Sequence, residues 1–313
     1  MRRLLAAIAL SLTLAAGAAA APPAADPEGA VVAELVVQAR TGGPPWWRVS
    51  RGGSVVWVLG VPSGLPRGTR WDQSGLASRL AGARRLIVPP AFTTGLGDIF
   101  GAVALGRRLR APGPIEAALP ADLRARYLTA SAALGQPPRH YDSWKPAVSG
   151  LIMLGDFRKR AGIDDRQPLA AIRGAAGRRG VRVVPAASYR ALPFLRTLTG
   201  DLTPQVNLAC LADSLQEIEA GSGRVRAAAG GWTRGDVRTA LTAERGFERC
   251  LASFPEFTAQ VRQTMADETA AIAHDLQTPG VSVAAIPLRS LLAQDGVLAR
   301  LKAQGYDVRT PAD

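Results

Sequence analysis

Two serines occupy positions from which an α/β protein commonly acts on a ligand. Ser63 follows the apolar run 55–59 and Ser290 follows the apolar run 281–286, so each comes shortly after a segment that reads as a buried strand. A serine hydroxyl can attack a carbonyl carbon when a nearby base accepts its proton. The residues around Ser63, Gly-Val-Pro-Ser-Gly, do not form the G-x-S-x-G pattern of a nucleophile elbow. A serine nucleophile and a serine that only bonds the backbone therefore both stay open as interpretations.

Histidine, the commonest metal ligand, is scarce in this chain. His140 and His274 are the only two histidines among 313 residues, so a site with three or four histidine ligands is excluded. Because neither follows a predicted strand, we predict that both are surface or hydrogen-bonded structural residues. No glycine-rich phosphate loop follows a strand, which excludes the common nucleotide-binding motifs.

The basic charge does not indicate a nucleic-acid binder. Lys and Arg number 38 against 25 Asp and Glu, which gives a formal net charge of +13 at pH 7. Only Lys145, Lys159 and Lys302 are lysines, and the arginines are dispersed along the chain instead of forming one basic patch. The composition, 47% hydrophobic and 20% charged, is that of a globular protein. We therefore predict no nucleic-acid partner.

Residues 1–20 have the pattern of a signal peptide. Arg2 and Arg3 precede the apolar run 4–16, and a stretch of small residues then leads to a cleavage site that ends at Ala20. The apolar run is short for a membrane span, which needs ~20 apolar residues. We predict cleavage near Ala20 and a periplasmic or secreted protein without a transmembrane anchor.

Export bears on the two cysteines, Cys210 and Cys250. An oxidising compartment favours a disulfide between them, and two buried free thiols are the alternative. Closing a loop of about 40 residues stabilises a fold by ~3–4 kcal/mol in the chain-entropy model. We predict the disulfide.

Strands and helices alternate at both ends of the chain. The strands are predicted over residues 55–59, 85–88, 181–184 and 281–286, with an edge strand over 306–309. Residues from about 190 to 278 are mainly helical, as expected of an insertion or cap. The predicted fold class is therefore α/β, with a central sheet assembled from N-terminal and C-terminal segments. The predicted units are the signal peptide 1–20, a flexible Ala-, Pro- and Gly-rich arm 21–45, and one domain 46–313.

Short segments along the whole chain match a known order of strands, tryptophans and glycines. They are residues 46–49, 55–60, 65–66 with Trp71, 76–83, 85–88, 145–146, 162–164, 231–232, 235–236, 295–297 and 305–306. In this order they resemble the TraB/GumN family, whose animal relatives are the Tiki proteins. The resemblance implies a metal-dependent hydrolytic site, where two Gly-x-x-His motifs meet Glu residues at strand ends and a metal activates water.

The chain departs from that family at the expected metal ligands. The substituted positions are Gly60 to Ser63 for the first motif, Pro287 to Ser290 for the second, Pro89 or Pro90 and residues 185–187 for the Glu residues, and Ala266-Asp267 for a helical Arg-Asn pair. Ser63 and Ser290 thus stand at the two histidine positions, and a hydroxyl is a poor ligand for a borderline-soft metal. We predict neither a bound metal nor another cofactor, and no catalytic residue at these positions.

Three functions stay open on these residues. The retained scaffold residues are Gly60, Trp71, Trp232 and Gly296. Because such residues act on backbone and packing, the main prediction is a catalytically silent pseudoenzyme that binds a partner or has a structural role in the cell envelope. The alternative is a hydrolase of peptide or ester bonds with changed chemistry, based on Ser63 or Ser290.

The second alternative is a polyanion-binding envelope protein. The densest basic segment is Arg107-Arg108-Leu109-Arg110, and such binding weakens steeply with salt. The competing interpretation is a solvated helix face. An envelope polyanion and a protein are therefore the two kinds of partner that the sequence allows.

Overall fold

The computed structural model describes residues 26–40, 42–95, 98–137, 139–200 and 202–313. The predicted signal peptide, residues 1–20, lies outside the described residues, as do residues 21–25 of the predicted arm. Among the described residues, no helix combines the length and the apolar character that crossing a membrane requires.

The strands are short and most of them are apolar. They are β1 (Trp46–Arg51), β2 (Ser54–Val61), β3 (Leu65–Pro66), β4 (Arg85–Val88), β5 (Ala91–Thr93), β6 (Ile163–Asp164), β7 (Arg182–Pro185), β8 (Ser188–Arg190), β9 (Gly280–Pro287) and β10 (Asp307–Arg309). Each strand that was predicted from an apolar run is present, with bounds that differ from the predicted ones by at most two residues.

Helices connect these strands. They are α1 (Ser74–Leu80), α2 (Asp98–Arg108), α3 (Ile115–Ala118), α4 (Ala121–Ala133), α5 (Pro146–Arg160), α6 (Gln167–Gly177), α7 (Ala191–Gly200), α8 (Pro204–Ala220), α9 (Gly223–Thr233), α10 (Val237–Ala240), α11 (Gly246–Ala252), α12 (Pro255–Asp275), α13 (Leu288–Leu292) and α14 (Val297–Ala303). Helices α7 to α12 follow one another without an intervening strand, which confirms the predicted helical insertion.

One six-stranded sheet organises the fold, in the order β10-β1-β2-β9-β4-β7. β9, from the C-terminal part of the chain, pairs in parallel with β2 and with β4, both from the N-terminal part. β1 and β10 complete one side of the sheet in antiparallel pairing. The predicted α/β class, with a sheet assembled from both ends of the chain, is confirmed.

The apolar runs become the core because helices cover both faces of the parallel strands. Val58 and Leu59 of β2 and Val283 and Ile286 of β9 have no exposed surface. Burying each such side chain stabilises the fold by roughly 1.5–3 kcal/mol. The ends of β2 and β9 are therefore held by a rigid, fully packed centre.

The helical insertion has its own small core, which contains the two cysteines. Cys210 on α8 and Cys250 on α11 are joined by a disulfide, with their Cα atoms 4.5 Å apart. Phe254 and Leu251 pack beside the disulfide, and both cysteines are buried. The bond thus ties together two helices of the insertion.

The described part of the N-terminal arm lies along the domain. Val32 donates a backbone hydrogen bond to Leu292 over 2.9 Å, and Ala39 donates one to Gly235 over 2.9 Å. Leu35, in a short 3₁₀ turn, is only 5% exposed. The described residues 26–40 therefore contact the domain through backbone hydrogen bonds and one buried side chain.

Candidate functional site

The carboxyl ends of four parallel strands meet at one edge of the sheet. β2, β9, β4 and β7 are parallel neighbours, and Val61 at the end of β2 lies opposite Pro287 at the end of β9. Ser63 and Ser290 therefore follow adjacent strands. In open α/β sheets, ligands bind outside this edge.

A cavity of about 100 Å³ opens between these two strand ends and the helical insertion. Its wall includes Ser63 from the end of β2 and Arg289 from the end of β9. Helix α5 contributes Arg158, and Glu248 comes from α11. Glu28 of the N-terminal arm completes this wall, so at least five separate parts of the chain build the cavity.

The two serines have different surroundings. Ser63 is exposed and lines the cavity. Ser290 is only 5% exposed and does not line the cavity, and its hydroxyl donates a short hydrogen bond to Oε1 of Glu28. Thus Glu28 stands between Ser290 and the cavity.

Carboxylates of the arm neutralise Arg245. The guanidinium of Arg245 forms an ion pair with Asp26 and a longer one, 3.4 Å, with Glu28. The Arg245 side chain is 12% exposed, and those of Asp26 and Glu28 are 22% and 17% exposed. Since these charges are largely removed from water, the ion pairs fix the arm in place as well as balancing charge.

Arg158 is paired on another wall of the cavity. Its guanidinium lies 2.8 Å from Glu217 and 3.6 Å from Asp165. Glu217 also accepts a hydrogen bond from the backbone N–H of Gly246 over 2.9 Å. Burial lowers the pKa of Arg158, but the two carboxylates outweigh burial and the pKa is raised.

Arg289 differs from these two arginines. It donates a hydrogen bond to the backbone carbonyl of Leu241, but no carboxylate of the described residues lies within ion-pair distance of its guanidinium. Burial, and then the nearby charge of Arg245, lower the pKa of Arg289. The cavity therefore contains one guanidinium that has no direct counter-charge among the described residues.

Two buried carboxyl groups lie close to this edge. Burial raises the pKa of Glu248, whose Oε2 has no hydrogen-bond partner among the described residues. Glu268 on α12 has no exposed surface, and burial, followed by the charges of Glu28 and Asp267, raises its pKa to about 8. At neutral pH Glu268 is therefore mostly a neutral acid.

The remaining motif positions lie at the other end of the same edge. Pro89 follows β4, and Tyr189 of β8 donates a 2.6 Å hydrogen bond to Asp267 on α12. Burial, and then this bond, raise the pKa of Tyr189 to about 12. Of the described motif positions, Ser63 lines the cavity, whereas Pro89, Asp267 and Ser290 do not.

The residues at this edge do not fit a metal ion. No group of three or more His, Cys, Asp or Glu side chains within the described ranges has a metal-binding arrangement. His140 and His274 are both exposed, as predicted, and His140 lies 3.7 Å from Asp156, away from the cavity. Hydroxyl groups, proline rings and guanidinium groups supply no strong ligand for zinc or a similar ion, and the carboxylates of the cavity, Glu28 and Glu248 among them, belong to no such group.

A model of the TraB/PrgY/gumN family matches residues 45–310. The chain belongs to the TraB/PrgY/gumN family. Neither a curated protein nor a solved structure matches it. The predicted resemblance is thus confirmed over nearly the whole length of the domain.

The retained glycines and tryptophans of this TraB/PrgY/gumN-family chain support the strand ends. Trp232 donates a 2.7 Å hydrogen bond from Nε1 to the carbonyl oxygen of Gly60, and its ring packs edge-on against Trp71. A Cβ atom on Gly60 would lie 2.5 Å from a methyl group of Leu288 and 2.9 Å from the ring of Trp47, so a larger residue there would force these buried side chains to shift. These residues preserve the shape of the edge independently of any chemistry.

Four charged residues of the site were not predicted from the sequence. Arg158, Arg245 and Glu248 lie on or beside helices where a charged side chain usually faces solvent. Glu28 lies in a segment whose composition is that of a loop. Arg289 carried a usable signal, because it lies between Pro287 and Ser290, inside the second motif segment.

Proposed function

We propose that this TraB/PrgY/gumN-family chain is a catalytically silent binding protein of the cell envelope. The observation that carries the proposal is the cavity between the ends of β2 and β9, where Ser63 stands at an expected histidine position and the carboxylates, Glu28 and Glu248 among them, form no metal-binding group within the described residues. A family scaffold that keeps its ligand cavity but lacks the family's implied donors is suited to binding without hydrolysis.

The family resemblance implies hydrolysis by a metal-activated water, which requires imidazole or carboxylate ligands at the strand ends. Ser63 and Ser290 replace the two histidines, and Pro89 replaces a Glu. The nearest carboxylate to Ser290 is Glu28, which is engaged with Ser290 and with Arg245. These residues therefore do not support hydrolysis by a metal-activated water in this chain.

Two features support an exported protein. Residues 1–20 have the charge and apolar pattern of a signal peptide, and the buried Cys210–Cys250 disulfide is of the kind that persists in oxidising compartments. The N-terminal sequence of the exported protein is expected to begin at Ala21. An intact Arg2-Arg3 terminus in a membrane fraction would contradict export by cleavage.

Hydrolysis assays test the silence of the site. Peptide and ester substrates are offered to wild type and to the double variant Ser63→Ala/Ser290→Ala, with added zinc, manganese or cobalt and with chelator. We expect both proteins to give only the background rate. Turnover by the wild type that the double variant or the chelator abolishes would contradict the proposal.

One observation favours the serine-based hydrolase as a second candidate. Ser290 donates its hydroxyl hydrogen to Glu28, and a carboxylate can serve as a base. However, Ser290 is only 5% exposed, and the Glu28 carboxylate is also engaged in an ion pair with Arg245. A fluorophosphonate probe that labels wild type but not Ser290→Ala would establish this candidate, and no labelling would remove it.

A further inference from the structure

We propose that the cavity binds one oxyanion group, a carboxylate or a phosphate of a small ligand, through the guanidinium of Arg289. This inference rests on the proposed binding function and adds the chemical class of the ligand. The position of Arg289, two residues after the end of β9, is one where an α/β sheet presents ligand-binding groups.

The pairing of the three cavity arginines singles out Arg289. Arg158 has Glu217 and Asp165 as partners, and Arg245 has Asp26 and Glu28. Arg289 has no carboxylate within ion-pair distance in the part of the chain that the structure describes. Its single hydrogen bond, to the carbonyl of Leu241, uses one of five N–H donors.

The remaining donors of Arg289 are available to a ligand. Among the described residues, no nitrogen of Arg289 is both buried and without a hydrogen-bond partner. The unbonded N–H groups of Arg289 are therefore accessible, and the residue lines the cavity. A guanidinium presents two parallel N–H groups, which match two oxygens of a carboxylate or phosphate. Geometry therefore favours a planar or tetrahedral oxyanion over a neutral polar group.

The electrostatic balance around Arg289 also favours an anion. Burial and the nearby Arg245 lower its pKa, although Glu28, Glu248 and Asp26 act in the opposite direction. The nearby carboxylates thus do not fully balance the positive charge of Arg289, and a bound anion would stabilise that charge. Glu248, whose pKa is raised by burial, can add an O–H donor when it is protonated.

The size of the cavity limits what enters it. A volume of about 100 Å³ is well below the ~300–1,000 Å³ of pockets that enclose a whole drug-sized ligand. The cavity is thus large enough for a head group, while the rest of the ligand would extend outward past the exposed Ser63.

Glu28 limits the strength of this site. Its carboxylate lines the same cavity and competes for the positive charge of Arg245 and Arg289. Glu28→Gln should keep an acceptor for the Ser290 hydroxyl while removing the negative charge. This variant should therefore bind an anion more tightly than wild type does.

Calorimetric titration at constant ionic strength tests the proposal with inorganic phosphate and, separately, acetate as probes. Wild type should bind at least one of them, Glu28→Gln should bind it several-fold more tightly, and Arg289→Gln about tenfold or more weakly. Arg289→Lys, which keeps the charge but not the fork, should be intermediate. Arg173→Gln, on the exposed face of α6, is the matched control and should bind as wild type does.

Each outcome has a defined meaning. Binding of phosphate alone assigns a phosphate ligand, and binding of acetate alone assigns a carboxylate ligand. Binding that is unchanged in Arg289→Gln and in Glu28→Gln overturns the site, as does the absence of binding to wild type and to Glu28→Gln. Neither result would change the outcome expected in the hydrolysis assays. The proposal that the family site is catalytically silent is therefore tested separately from the anion site.

Discussion

The hydroxyl group of Ser290 donates a hydrogen bond to the carboxylate of Glu28, which lies 262 positions earlier in the chain. Ser290 occupies the position where the family resemblance places a histidine, and Glu28 belongs to the N-terminal arm. The arm therefore takes part in the site, since it satisfies the serine and supplies one wall of the cavity. A ligand in this cavity would therefore contact the N-terminal arm as well as the ends of the strands.

Arg245 should be important for stability because it pairs with two carboxylates of the arm. Arg245→Gln leaves Asp26 and Glu28 without their counter-charge in a mostly buried setting. We expect a loss of about 2–3 kcal/mol in the free energy of unfolding, less than the ~3–5 kcal/mol of a fully buried pair. Urea unfolding measures this loss, with Arg173→Gln as a control of equal charge change. Equal midpoints for the two variants would show that the ion pairs of Arg245 with the arm contribute nothing to stability.

The disulfide should stabilise the helical insertion. Replacing Cys210 and Cys250 together by alanine opens a loop with a sequence separation of 40 residues. In the chain-entropy model this costs about 3–4 kcal/mol, and small voids in the buried core add to it. The urea midpoint of the double variant should fall to that of wild type kept in reductant. A midpoint equal to that of oxidised wild type would mean that no such bond forms.

Glu268 should make the folded protein less stable as the pH rises. Its pKa is about 8 in the folded state, against about 4.3 in the unfolded chain. Between these values the folded state holds a proton that the unfolded state has released. This contribution to stability is therefore complete below about pH 4 and is lost as the pH rises through about 8.

The pH dependence can be isolated by substitution. From about pH 5 to pH 8, wild type should lose up to roughly 1.4 kcal/mol per pH unit from this group, and Glu268→Gln should lose less. Urea unfolding at both pH values measures the difference. Glu34→Gln removes an exposed carboxyl group and serves as the control. The same pH dependence in wild type and in Glu268→Gln would contradict a protonated Glu268.

Gly296 should tolerate no side chain. A Cβ atom there would lie 2.4 Å from the backbone oxygen of Ser290 and 2.8 Å from the backbone of Ala293. Because backbone atoms cannot move aside as a flexible side chain does, Gly296→Ala should destabilise by about 2–4 kcal/mol in thermal or urea unfolding. Gly106→Ala, on α2, meets nothing within 4 Å and should be neutral or slightly stabilising. Similar stability of the two variants would contradict the close approach at Gly296.

The strands and the family could be predicted from the sequence. A continuous apolar run indicates a buried strand, and a retained glycine indicates close packing at its own position. The runs that became β2 and β9 are of this kind, and Ser63 and Ser290 follow from them. The charged part of the site could not be predicted, because it forms only when distant segments meet. The neighbouring sequence of Arg245 and that of Glu28 do not distinguish these residues from charged residues that face solvent elsewhere in the chain.

The arm illustrates the same limit. Its Ala-, Pro- and Gly-rich composition reports a low preference for helix or strand, but not the backbone bonds that Val32 and Ala39 make with the domain. Those bonds depend on the positions of Leu292 and Gly235, which the sheet and the insertion fix. Contacts of this kind depend on the tertiary structure and cannot be predicted from the composition of the arm.

The divalent metal content of the exported protein, purified without chelator and measured by elemental mass spectrometry, distinguishes a silent site from a metal-dependent one. We expect far less than one metal ion per chain, with the same value for Ser63→Ala, because serines stand at the two positions where the family resemblance places histidines. About one tightly bound zinc or manganese ion per chain that survives dialysis would contradict a catalytically silent binding site.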